Sequence, residues 1–174
     1  PSAGSALSLS IAEVKIEDGR FQHLREVQSA KPVEFQAVNA RLGPIATGAA
    51  IPLKLDWKVA GGGSMTLQGS AGPIAEKDTT QTPFDLKAAV KQLDLERTGL
   101  LGPNPAFAAL ADFDGALRSN GRTVTLKGKL TAAKARFSAK APQAPKPVTI
   151  DVDTAYQLAQ HQGAIRSMTL RSGA

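Results

Sequence analysis

The feature that most limits what this chain can become is a strict two-residue alternation of apolar and polar side chains. Ile51, Leu53, Leu55, Trp57 and Val59 alternate with Pro52, Lys54, Asp56 and Lys58. In extended backbone successive side chains point to opposite faces, so all five apolar groups fall on one side. Pro52 suits the start of a strand, because proline cannot donate to a central ladder. The same pattern recurs at Val148, Ile150, Val152, Tyr156 and Leu158, at Val124, Leu126 and Leu130, and at Phe84, Leu86, Ala88 and Val90. A mainly β fold follows.

Several runs change phase midway. Leu7, Leu9 and Ile11 are odd, whereas Val14 and Ile16 are even; Phe84 to Val90 gives way to Leu93 and Leu95, and Val124 to Leu130 gives way to Ala133, Ala135 and Phe137. A one-residue slip sends a straight strand's apolar set to the wrong face. Either a β-bulge absorbs the slip, adding bend and twist, or the strand ends in a tight turn.

Turn signals stand at Asp18-Gly19, Gly43-Pro44, Gly61-Gly62-Gly63-Ser64, Asn120-Gly121 and His161-Gln162-Gly163. Asn-Gly predicts a hairpin pairing Ala116–Ser119 with Arg122–Thr125, since type I′ turns need positive φ at both central residues. The glycine run predicts pairing of Leu53–Val59 with Met65–Ser70. Gly72–Thr82 and Lys140–Pro147 read as exposed loops. Ser29–Val38 is ambiguous, but Pro32 and the phase of Val33, Phe35 and Ala37 favour a strand. One short helix is predicted near Pro105–Ala111, with Asn104 as cap, Pro105 in the first helical position and Phe107, Ala108 and Leu110 continuing it. Met65–Gly69, Val124–Gly128 and Met168–Arg171 echo one another at irregular intervals, which fits serial hairpins along one growing sheet better than a strict solenoid. The expected architecture is about ten antiparallel strands in a strongly curved sheet, half-barrel or sandwich, with one short helix.

At 174 residues the chain suits a single β-rich domain, 1–174, expected to be a segment of a longer polypeptide. It has no cysteine, so thiol catalysis and cysteine-based zinc sites are excluded. The formal net charge is +6. The basic residues are spread along the polar phase of the strands without a cluster of five, and only eight aromatics are available for stacking, so nucleic acid is not an expected partner. His23 and His161 fall in or beside turn-like segments without ligands at metal spacing. Gly61-Gly62-Gly63 has no helix after it to bind an anion, and Gly128-Lys129 lacks the rest of a phosphate loop. Asp112 and Asp114, like Asp151 and Asp153, supply too few oxygens for calcium. No catalytic residue, metal or cofactor is assigned, and an enzyme is not expected.

The apolar faces carry the remaining information. They either close against a second layer or stay open as a trough for an acyl chain, in which each buried methylene is worth ~0.8 kcal/mol. The face around Leu53, Leu55, Trp57, Leu126, Ile150 and Val152 is the candidate core or lipid-groove surface. Leu9-Ser10-Ile11-Ala12-Glu13-Val14-Lys15-Ile16-Glu17-Asp18-Gly19-Arg20-Phe21 resembles the opening of repeats in the AsmA family of bacterial envelope proteins. Phe84-Asp85-Leu86-Lys87, Leu93-Asp94-Leu95, Leu110–Gly128 with Ser119-Asn120-Gly121-Arg122, and Lys146–Asp151 are similar to later parts of the same region. The resemblance implies a periplasmic fragment of a protein anchored to the inner membrane outside this segment. It also implies a kinship with TamB-type proteins, which handle phospholipid along a hydrophobic β-groove between membranes. Neighbouring segments of the same chain would be its partners. The alternative is a structural or protein-binding β-sandwich in outer-membrane protein assembly, recruiting partners by strand addition.

Overall fold

The computed structural model describes residues 10–23, 32–102, 105–138 and 140–173. Eleven strands run in chain order: β1 (Ser10–Ile11), β2 (Val14–His23), β3 (Val33–Leu42), β4 (Ile45–Ala46), β5 (Ile51–Val59), β6 (Ser64–Ala71), β7 (Phe84–Asp94), β8 (Ala108–Ser119), β9 (Thr123–Arg136), β10 (Val148–Gln157) and β11 (Gln162–Ser172). Nine of them form one sheet in the order β2-β3-β5-β6-β7-β8-β9-β10-β11, while β1 and β4 pair separately. Every neighbouring pair in the large sheet is antiparallel. The sheet is a serial meander and does not close into a barrel: β2 and β11 stand at opposite ends. Both return strands of the echo motif tested by complete hairpins, β6 and β9, sit where expected, as does β11.

The open choice between bulge and turn resolves differently from place to place. In β7 two residues, Lys91 and Gln92, oppose the single Asp112 on β8, and Gln92 takes a positive φ of 51°. Asp112 clamps this bulge: its carboxylate accepts the Gln92 backbone N–H at 3.0 Å and the Gln92 side-chain amide at 3.2 Å. In β9 the extra residue falls between Ala133 and Arg136, where Lys134 has φ 54°. Both bulges return the apolar phase to the same face. Between β1 and β2, by contrast, the strand breaks at Ala12 and Glu13. Asp112→Ala is expected to cost about 0.5–1 kcal/mol, the net worth of the exposed hydrogen bonds that hold the bulge, since water replaces the lost acceptor; the midpoint of urea unfolding measures it.

Three expectations are corrected. Asp18-Gly19 is no turn: Asp18 (φ 50°) is a bulge inside β2, facing another at Ala37 (φ 48°) in β3. The Asn120-Gly121 hairpin exists, but Ser119 opposes Val124, so the connection is longer by two residues. The cause is the Asn120 side chain, whose oxygen accepts both the Arg122 and Thr123 N–H groups and replaces the two-residue turn with its own loop. The short helix is absent: residues 108–111 begin β8, with Leu110 opposite Ala133 and Ala111 opposite Ala132. A seven-residue helix is too short to hold itself, and ladder pairing with burial of Ala108, Ala109 and Ala111 outweighs the local helical preference. The expected cap, Asn104, lies outside the described residues, as do Leu7, Leu9 and Ser29–Lys31. The predicted strand beyond them starts at Val33.

The core is small and sits at one end of the sheet. Val33, Val59, Leu93 and Ala111 are buried, with Phe35, Trp57, Met65, Val90 and Leu130 packed against them. Leu95 and Leu100, from the segment after β7, cover this cluster. Beside it Ala109, Ala132 and Ala135 form a second cluster under Phe107, whose ring lies 5.5 Å from that of Phe137. Leu93→Ala is expected to cost about 2–4 kcal/mol in denaturant unfolding, the range for a buried leucine whose surroundings relax only partly.

Candidate functional site

The antiparallel registers sort the side chains of nine strands onto two faces of opposite character. On one face the apolar residues line up in transverse rows. Leu55 opposes Leu67, Leu67 opposes Ala88, and the row runs on through Gly115 and Gly128 to Val152 and Met168. In the other direction it reaches Ala40 and Ile16, so it crosses the whole sheet. The row on one side joins Leu53 to Gly69, Leu86, Leu117, Leu126, Thr154 and Ile165. The row on the other side joins Trp57 to Met65, Val90, Phe113, Leu130, Ile150 and Leu170.

The six residues singled out from the sequence thus fall in pairs on three adjacent rows: Leu53 with Leu126, Leu55 with Val152, and Trp57 with Ile150. They share a face without sharing a contact. Leu55 and Val152 stand five strand spacings apart, about 24 Å. All six are half-buried, and only Trp57 belongs to the packed end of the face. Toward the edges the cover disappears: Ile165 is 65% exposed, Met168 59%, Leu170 59% and Phe21 53%. The sequence reading missed Phe113. Its ring lies over the floor of the middle row, close enough that a Cβ on Gly115 or Gly128 would meet it at 2.5 or 2.7 Å. The glycines there accommodate the ring, as aromatic residues commonly cover glycine in sheets.

The opposite face is polar and carries two hollows that share Lys54. One of about 790 Å³ extends from β5 to β11 and is lined by Lys54, Lys87, Lys127, Lys129, Asp151 and Asp153, among others. A second of about 220 Å³ continues it across β2 and β3, lined by Lys15, Glu17, Asn39, Arg41 and Asp56, and shares Lys54 with the first. Lys15 donates to Glu17 and holds its carboxyl below the ordinary range, with Arg41 adding to the effect. Arg171 pairs with Asp151, and Arg118 with Asp85 at 3.1 Å. His161 lies at the β10–β11 turn with its Nδ1 3.4 Å from the Tyr156 hydroxyl. Among the described residues no group of three histidine or acidic side chains is placed to hold a metal, and no helix is long and apolar enough to cross a membrane.

The large sheet is thus an open antiparallel meander with one face apolar from edge to edge. A family profile for the TamB C-terminal domain matches residues 54–172. The chain belongs to that family, within the AsmA/TamB group of periplasmic envelope proteins, as the sequence resemblance implied. No curated protein and no solved structure matches it.

Proposed function

We propose that this domain shields phospholipid acyl chains on its apolar face, as one segment of an envelope protein that moves lipid between membranes or supports outer-membrane biogenesis. The observation that carries this reading is the trio of apolar rows that cross the sheet with cover at one end only. A chain laid along them loses water from one side, so each methylene gains up to ~0.8 kcal/mol and a long chain is held without any polar motif. A bend of the sheet toward this face, bringing β2 and β11 around the lipid, would increase the gain. The role needs no catalysis, and on the face behind Asp85 and Asp151 are engaged in cross-strand ion pairs with Arg118 and Arg171. Native mass spectrometry of gently purified protein should show bound phospholipid. A lipid-free mass together with no uptake from vesicles would reject the proposal.

A second reading rests on the edges. β11 is exposed along its whole length and its outer rim pairs with no strand among the described residues, so it offers a template for strand addition by a partner in outer-membrane assembly. The sandwich form of that reading has less support, since no second sheet of comparable size stands against the first among the described residues. A pull-down that recovers protein without lipid would favour it. We place the domain in the periplasm, tethered through an inner-membrane anchor elsewhere in its polypeptide.

A further inference from the structure

One row of the polar face is cationic over most of its length, from Lys15 to Lys127, before it reaches Asp153. Lys15 opposes Arg41, and Arg41 opposes Lys54. The same row continues through Gln68 to Lys87, and through Ala116 to Lys127. Cations from five strands, far apart in sequence, therefore stand on one line across the sheet. Like charges directly opposite each other on neighbouring strands are destabilising, and here three cations adjoin in succession. Some are relieved: Lys15 by Glu17, Arg41 by Glu13 at 3.0 Å, and Lys127 distantly by Asp153 at 3.9 Å, which Arg166 approaches equally. Lys54 and Lys87 have no ion pair among the described residues. The acids of the next row are engaged elsewhere, Asp151 by Arg171 and Asp56 by the Asn39 amide at 2.9 Å, while Asp114 opposes Lys129. Along this line the two hollows join at Lys54.

We propose that the row Lys15, Arg41, Lys54, Lys87 and Lys127 seats an extended chain of phosphate groups lying across the strands in the polar hollow. The hollow brings Lys54, Lys87 and Lys127 into one lining, so a chain lying across the strands meets each of them in turn. Its floor is the central ladder, whose N–H and C=O groups already pair with neighbouring strands, so a peptide gains no backbone bonds there. Four of the five cations are lysines, point charges suited to phosphate, whereas carboxylates are best matched by the fork of arginine. No aromatic side chain of the described strands lies on this face, so bases have nothing to stack upon. Lys54, Lys87 and Lys127 stand on every second strand, about 10 Å apart, a spacing that a flexible polyanion can span. The seat lies behind the apolar rows and stands independently of the lipid reading.

The test measures binding of inorganic polyphosphate of defined length to the full chain over a series of salt concentrations. The triple variant Lys54→Gln/Lys87→Gln/Lys127→Gln is expected to bind roughly tenfold or more weakly, with the slope of log affinity against log salt reduced by about two to three. Lys77→Gln/Lys140→Gln/Lys146→Gln removes the same charge from loops and should stay within about twofold of the parent. Equal losses in both variants, or no binding by the parent, overturn the proposal. So does a preference for anionic vesicles that depends on the same lysines. Thermal unfolding supplies the second readout. Removing Lys54 relieves repulsion with Arg41, so the row variant should melt no lower than the parent, and a lower Tm assigns these lysines to stability and also overturns the proposal.

Discussion

Gly69→Ala is expected to destabilise the domain by about 3–4 kcal/mol, more than any other single methyl added to its sheet. Gly69 lies in the middle of β6, between Leu53 and Leu86. Its φ is +151°, and a Cβ built there would stand 2.0 Å from the Asp85 carbonyl oxygen. That oxygen belongs to the neighbouring strand, so the clash cannot be relieved by turning a side chain. Either the β6–β7 ladder opens or the backbone of Gly69 leaves its conformation. Gly48→Ala is the control. It also has positive φ (+74°), but no atom lies within 4 Å of the added carbon, so only the ~1–2 kcal/mol of left-handed strain applies. Urea titrations of both variants measure the difference. Equal midpoints would show that the close approach of β6 and β7 is not real.

Met168→Asp combined with Leu170→Asp is expected to reduce retained phospholipid about tenfold or more while leaving the fold intact. Both residues sit on the apolar face of β11, and both are more than half exposed, so the structural cost of charging them is small. A bound acyl chain crossing the middle rows would meet two carboxylates, and desolvating even one without a partner costs more than several methylenes return. Ser167→Asp adds a charge one residue away on the polar face and should leave lipid content unchanged. Unchanged lipid in the double variant would remove β11 from the lipid path. Equal loss in both variants would mean that the apolar face is not what holds the lipid.

The six face residues were legible because alternation states which side of a strand a residue occupies before any partner is known. Val152 and Leu55 could be assigned to a common face in this way, although nothing in the sequence says that they share a row. Rows depend on register, and register here is set by loops and bulges that chemistry only hints at. Asn120 shows the difficulty: its side chain hydrogen-bonds two backbone amides and shifts the hairpin by two residues from the pairing that Asn-Gly suggests. The phase slips at Gln92 and Lys134 were visible, but bulge and turn produce the same pattern in one dimension. The helix at 105–111 failed because its proline and small residues carry a local signal, whereas the pairing that overrides it comes from β9, more than 20 positions downstream. The cationic row was illegible for the same reason. Lys15, Arg41, Lys54, Lys87 and Lys127 look dispersed along the chain, and only the meander lines them up.

That meander has a mechanical consequence. Because each strand of the large sheet hydrogen-bonds only to its neighbours in chain order within that sheet, no distant strand must arrive before the next can pair. A polypeptide threaded through a narrow export pore can therefore add one hairpin at a time, and tension on its two ends would peel strands away in sequence. The same arrangement lets such a sheet grow by further repeats without disturbing what is already built.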